Sequence, residues 1–232
     1  MRATDATEIR QLRLFRGCPD ETIDSLLAAG FLQRFPRGVV LVRENEPADF
    51  LYVLVEGLVE LYGSNAERET TIAFVRPVGT FILAAVLKDQ VYLQSARTLE
   101  SSRLLMIPAA GVREAIARDI RFMSAVVAEL ATGYRDIVRD LKNHKLRTGA
   151  ERLANWLLRA DRRNGGAGLV EIEVEKRALA SRLGMTPESL SRAFQALAAH
   201  GVKIRGATVR LDDPDELARF AKPNPLIDDL GA

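Results

Sequence analysis

Pro187, Glu188, Ser191, Arg192 and Gln195 recur at helical spacing in the segment RALASRLGMTPESLSRAFQALAAHGVKIRGATVR, which runs from Arg177 to Arg210. Their chemistry matches the edges of base pairs. An arginine pairs with guanine, a glutamate accepts from cytosine, a glutamine pairs with adenine, and small groups meet a thymine methyl. The elements that must carry these side chains are legible around them. Leu179 and Leu183 lie four apart on the apolar face of a first helix. Gly184 can take the positive φ of a tight turn, and Thr186 followed by Pro187 is an N-cap with proline at the first helical position. Leu190, Phe194 and Leu197, at i, i+4 and i+7, commit the other face of the second helix to a core. A short basic hairpin follows. A plain helical hairpin with a solvated polar face would share the helix–glycine–helix part; the hairpin behind it favours reading of double-stranded DNA.

Charge supports that reading. From Lys142 to Leu211 there are fourteen Lys and Arg against six Asp and Glu, a net of +8, whereas the segment from Asp212 onward is −4 and the whole chain +2. A basic stretch that coincides with the helix pair is the footprint expected for phosphate contact. Lys176, Arg177, Thr186, Lys203, Arg205 and Arg210 are the candidates for it.

The 232 residues suffice for one large or two small domains. No run approaches the roughly 18 apolar residues of a membrane span, and the first twenty residues lack an apolar signal core. A cytoplasmic protein without a membrane partner is expected. One cysteine and two histidines leave the common catalytic chemistries few candidates, so an enzyme is not expected. A ligand-binding adaptor with a degenerate winged helix is the reading from a different class; such a protein would lack a base-reading face.

Upstream, the first thirty residues look helical, with Leu12, Phe15, Ile23, Leu26 and Leu27 as packing positions. From Gly38 to about Ile107 come short β-rich runs, VVLVR, FLYVLVEGLVELYG, ETTIAFV and SSRLLMI, punctuated by turn residues. They indicate an antiparallel roll or sandwich. Met123, Val127, Leu130, Tyr134, Ile137, Leu141 and His144 then alternate by four and three, the stripe of a parallel helical dimer seam. A helix from about Thr148 to Ala160, a glycine-rich loop, a strand within 170–174 and a fraying polar tail from about Lys222 complete the expectation. The fold class is α+β: a sensor roll over 1–110, a dimerisation helix over 111–145, and a winged helix–turn–helix with tail over 146–232.

The chain resembles the CRP/FNR superfamily of bacterial transcription regulators. Arg37-Gly38, Leu41, Glu46-Pro47-Ala48-Asp49, Tyr52-Val53, Glu56-Gly57-Leu58-Val59 and Gly79 are similar to the glycine-punctuated β-roll of cyclic-nucleotide-binding domains. Glu188-Ser189-Leu190-Ser191-Arg192 is similar to the E-x-x-S-R recognition helix of the FNR branch. The resemblance implies a homodimer whose recognition helices enter successive major grooves, with half-sites about 34 Å apart. On that pattern Glu188, Ser191 and Arg192 read a TTGAT-like half-site, Pro187 stands at a position that varies within the family, and RNA polymerase is the partner if the protein activates.

The resemblance also indicates where the signal would enter. The cAMP-binding members carry a Gly-Glu pair for the ribose and an Arg-Ser pair for the cyclic phosphate. Here Leu83-Ala84 and Gln94-Ser95 stand in those places, with Arg97 three residues beyond as the nearest arginine. A buried phosphate without its arginine loses a charge-assisted contact, so cAMP is not the expected effector. The lone Cys18 cannot hold the cysteine-ligated iron–sulfur cluster of the oxygen-sensing members. The apolar loop from Gly79 to Leu87 looks more like the heme-associated, nitric-oxide-responsive members, for which His144, His200, Met106, Cys18 or a tyrosine are the candidate ligands. A regulator that works without any ligand is the remaining alternative, and the cofactor stays open.

Overall fold

A computed structural model describes residues 7, 9–66 and 68–228. The chain forms two compact units, Met1–Tyr134 and Arg135–Ala232.

In the first unit a 3-10 turn, Arg13–Phe15, and helix α1, Asp20–Ala29, precede eight strands. These are β1 Phe31–Phe35, β2 Val40–Val42, β3 Phe50–Glu56, β4 Val59–Asn65, β5 Arg68–Val75, β6 Gly79–Phe81, β7 Ser95–Thr98 and β8 Ser102–Pro108. They make two four-stranded antiparallel sheets, ordered β1-β8-β3-β6 and β2-β7-β4-β5. Pairs such as Leu51 with Ile107 and Val53 with Leu105 fill the interior. Gly57 makes the β3–β4 hairpin possible: its φ is +96°, and a Cβ there would stand 2.4 Å from the Ser102 Oγ. Leu12, Phe15, Ile23, Leu26 and Leu27 all lie in the core.

Three expectations change here. The segment from Gly79 to Leu87 is not a loop. It is β6 followed by helix α2, Leu83–Lys88, entered through Ile82 at φ 68°. The expected single helix over 111–145 is two: α3, Ala109–Arg118, and α4, Ile120–Leu146. Asp119 separates them, because its carboxylate accepts from the Arg121 and Phe122 N–H groups at 2.8 and 3.3 Å, and from the Thr22 hydroxyl at 2.7 Å. An aspartate that satisfies first-turn donors starts a new helix rather than continuing the old one. The division between compact units also falls at Tyr134, well beyond residue 110.

The second unit contains the end of α4, then α5 Gly149–Arg163, β9 Leu169–Glu171, α6 Lys176–Arg182, α7 Pro187–Leu197, β10 Val202–Arg205, β11 Thr208–Leu211, α8 Pro214–Ala221 and α9 Pro225–Asp228. Helix α5 opens with a capping box: the Thr148 hydroxyl accepts from the Glu151 N–H, and the Glu151 carboxylate accepts from the Thr148 N–H. The sheet order is β10-β11-β9. Leu153, Leu157, Leu179, Leu190, Leu197, Val209 and Leu217 form its core. The tail expected to fray from Lys222 instead docks as far as Asp228, for a reason given below; residues 229–232 lie outside the described residues.

Candidate nucleic-acid interface and sensor pocket

Helix α7 divides its residues as the spacing predicts. Leu190, Ala193, Phe194 and Leu197 are buried, and Pro187, Glu188, Ser191, Arg192 and Gln195 are exposed. The Thr186 hydroxyl accepts from the Ser189 N–H at 3.2 Å, so the helix starts where the cap requires. Arg192 donates from Nη2 to the Ser189 Oγ at 3.2 Å, and the Ser191 hydroxyl donates to the Pro187 carbonyl at 3.0 Å. The Glu188 carboxyl is held below its ordinary range by its own backbone N–H, the Thr186 hydroxyl and nearby Arg192. It therefore stands as an ionised acceptor at the first turn of the helix.

Lys176, Arg177, Thr186, Lys203, Arg205 and Arg210 are all exposed. Lys203 and Arg210 face each other across the β10–β11 hairpin. Asp212 joins them, accepting from Lys203 Nζ and Arg210 Nε at 2.6 Å each. A cleft of about 490 Å³ opens beside α7, lined by Thr186, Ser189 and Arg192 on one side and by Gly149 and Arg152 on the other. Sequence reasoning missed Arg152. It donates to the carbonyls of Arg147, Leu183 and Gly184 at 2.6, 2.7 and 3.3 Å, which ties the helix–turn–helix turn to the start of α5. Only the T-x-x-E spelling at Thr148 hinted that a helix began there.

In the first unit the five candidate effector residues differ in exposure and in partners. Leu83 is buried in the core, Ala84 is exposed and Gln94 is half-buried. The Ser95 hydroxyl accepts from the Glu44 N–H at 3.0 Å. Arg97 is already engaged. It donates to buried Glu60 at 2.7 Å and to Glu69 at 2.9 Å, with its guanidinium 4.2 Å from the Tyr62 ring centre. Glu60 sits directly opposite Arg97 across β4 and β7, and also accepts from the Thr71 hydroxyl at 2.5 Å. Burial, the largest single influence, lowers the Arg97 pKa, but hydrogen bonding and ion pairing to Glu60 and Glu69 together outweigh it and raise it above its ordinary range.

The candidate heme ligands fare no better. The Cys18 thiol donates to the Leu14 carbonyl, and Met106 packs half-buried on β8. His200 is paired with Glu216 at 3.0 Å and lies over Phe220. His144 belongs to the second unit, against Gly184. Tyr52 and Tyr92 donate to the carbonyls of Leu41 and Phe50; burial pushes the Tyr52 phenol up to about 12. Cys18, His200, Tyr52 and Tyr92 are each engaged with a protein partner, which does not fit them to hold a porphyrin, and Phe81, Leu83 and Val86 belong to the core of the first unit.

On helix α4, Phe122 and Val126 turn into the core. The stripe lies on the other side and stays uncovered, with Met123 at 37%, Val127 58%, Leu130 37%, Tyr134 69%, Ile137 67% and Leu141 53% exposed.

Residues 32–119 match the family model of the cyclic nucleotide-binding domain, and residues 151–220 match that of the Crp-like helix-turn-helix domain. The chain belongs to the CRP/FNR superfamily. It is similar to the CRP-like cAMP-activated global transcriptional regulator of Mycobacterium tuberculosis, with 26% identity over 90% of this chain and 96% of the relative. It is similar also to the cyclic AMP receptor protein of Thermus thermophilus, at 27% identity over 90% and 96%. The solved structure of FixK2 from Bradyrhizobium japonicum shares the fold, with a TM-score of 0.71 and 23% identity, covering 82% of this chain and 96% of that one. This CRP/FNR-superfamily chain thus carries a DNA-binding helix–turn–helix and a cyclic-nucleotide-binding-type roll within a family of transcription regulators. Among the described residues no helix is long and apolar enough to cross a membrane.

Proposed function

We propose that this protein is a cytoplasmic, dimeric, sequence-specific DNA-binding regulator whose signal is not a cyclic nucleotide. The observation that carries the DNA half is the division of α7, an eleven-residue helix with a buried apolar face and Glu188, Ser191, Arg192 and Gln195 exposed on the other. Glu188, Ser191 and Arg192 read a TTGAT-like half-site, with Pro187 at its margin. Lys176, Arg177, Thr186, Lys203, Arg205 and Arg210 hold phosphates. Two copies pair along Met123, Val127, Leu130, Tyr134, Ile137 and Leu141, and the paired recognition helices meet half-sites one helical turn apart. Uncovered apolar side chains at heptad spacing support that seam, because water solvates them poorly.

The effector half rests on what stands where a nucleotide would be gripped. Ala84 offers no carboxylate to a ribose, Gln94 carries no charge for a phosphate, and Arg97 is committed to Glu60 and Glu69. The M. tuberculosis and T. thermophilus relatives are named for cAMP, but a buried phosphate needs a cation, which neither Gln94 nor the committed Arg97 supplies. The packed interior favours a regulator that works without a small ligand in the roll. Control then comes from abundance or from a device in the DNA-binding unit.

Mobility shift on a palindromic TTGAT operator, titrated across salt with and without cAMP, tests both halves. Retardation that is specific and independent of cAMP is expected. No retardation at low salt removes the DNA reading, and a cAMP requirement removes the effector reading.

A further inference from the structure

Asp228 is 6% exposed, yet it lies in a polar stretch expected to be solvated. Its carboxylate receives four donors. Arg147 gives two, at 2.8 and 2.5 Å, Arg159 gives one at 2.9 Å, and the Asn224 N–H gives one at 2.7 Å. The two guanidinium side chains are 7% and 19% exposed, so the cluster is shielded from water. A bidentate arginine–carboxylate pair in such a place is strong as long as both partners remain.

Arg147 lies with Thr148 between α4 and α5, and the cluster extends through it to the DNA-reading end of the unit. Its side chain also donates to the Asn143 Oδ1 at 3.0 Å, and its carbonyl accepts from Arg152 at 2.6 Å. Arg152 in turn donates to the Leu183 and Gly184 carbonyls of the turn. A continuous run of hydrogen bonds therefore leads from the segment after α8, through the α4–α5 corner, to the turn that sets the start of α7. Beyond this cluster the segment buries one apolar side chain, Ile227. Helix α9 has four residues, it is reached through Lys222 in the left-handed region at φ 47°, and Leu226 is 69% exposed. A segment with so few buried contacts opens at low cost compared with the helices it braces.

We propose that residues 224–228 are a releasable strap, with Asp228 as its buckle, that fixes the α4–α5 corner and through Arg152 the helix–turn–helix turn. Release leaves Arg147 and Arg159 shielded without their carboxylate, and the corner loosens to rehydrate them. Strap docking is thus a control point on the recognition helix, separate from the β-roll.

Amide hydrogen exchange on the full chain, on Asp228→Asn and on a chain ending at Lys222 tests this. Both variants should exchange at least tenfold faster at residues 144–150 and 181–186, with strands β3 and β8 unchanged. A synthetic peptide of residues 222–232, added to the shortened chain, should restore protection at both places. Unchanged exchange at the corner and turn of Asp228→Asn overturns the proposal. So does acceleration spread evenly over the second unit, or a peptide that fails to restore protection. If the shortened chain does not fold, Asp228→Asn alone decides. These readouts do not depend on DNA. A separate loss of at least fivefold in operator affinity for Asp228→Asn rests on the DNA-binding reading, and an unchanged affinity with accelerated exchange overturns the control role while leaving that reading intact.

Discussion

The His144 imidazole lies against Gly184, at the place where a Cβ on the turn residue would come within 2.8 Å of the ring. Gly184 also has φ +62°. The turn of the helix–turn–helix is therefore required to be glycine twice over, by backbone conformation and by the end of α4 pressed against it. Asp140 reinforces the contact through its ion pair with Arg182 at 2.6 Å, one helical turn earlier.

Gly184→Ala should lower stability by on the order of 2 kcal/mol, the cost of a left-handed alanine plus displacement of the ring. His144→Ala in the same chain should recover the steric part and leave the backbone part. Thermal denaturation of the single and double variants measures this; full additivity of the two changes would show that ring and turn do not touch.

His144 also makes the unit sensitive to acid. Burial lowers its pKa, Arg152 and Arg182 lower it further, and Asp140 opposes them. With the folded value depressed below the ordinary value of about 6.5, the unfolded chain takes up the proton first. Stability is then complete above that value and falls as pH drops through the window beneath it. Urea titrations between pH 7 and 5 should show the decline in the native chain and a smaller one in His144→Gln. Equal slopes would remove His144 from the account.

Arg192→Ala should abolish specific footprints while weak, salt-sensitive binding persists, because base contacts specify and phosphate contacts position. Loss of one bidentate guanine contact corresponds to about 1–3 kcal/mol of discrimination. An unchanged footprint on the native operator would refute the assignment of Arg192.

Asp212 neutralises two cations of the hairpin that are assigned to phosphate. Asp212→Asn frees Lys203 and Arg210, so non-specific DNA affinity at low salt should rise. The log–log salt slope should steepen by about 0.9 for each further phosphate neutralised. If both quantities stay constant, the hairpin does not track the backbone.

Ile137→Glu places a carboxylate on the uncovered stripe, where it touches no core of its own chain. Sedimentation should then report monomers with an unchanged far-ultraviolet spectrum, since the apolar burial lost at the seam is about 1.5–3 kcal/mol per side chain. A variant that sediments like the native protein would remove Ile137 from the seam.

The sequence alone determined those features that rest on local periodicity and backbone chemistry. The face of α7 was legible because Leu190, Phe194 and Leu197 must be buried together, which leaves Glu188, Ser191 and Arg192 outside. The turn at Gly184, the cap at Thr186, the stripe from Met123 to Leu141 and the longer strands followed from equally short-range rules. What only the tertiary structure decided is which charges meet. Arg97 looked like a spare phosphate ligand until β4 brought Glu60 opposite it and the β4–β5 hairpin brought Glu69 beside it. Asp228 looked like part of a solvated tail until the fold placed Arg147 and Arg159, 81 and 69 residues earlier, around one carboxylate. A charged side chain carries no periodic signature of its partner. The energy that orders it depends on distance and on exclusion of water, and both exist only after the chain has folded.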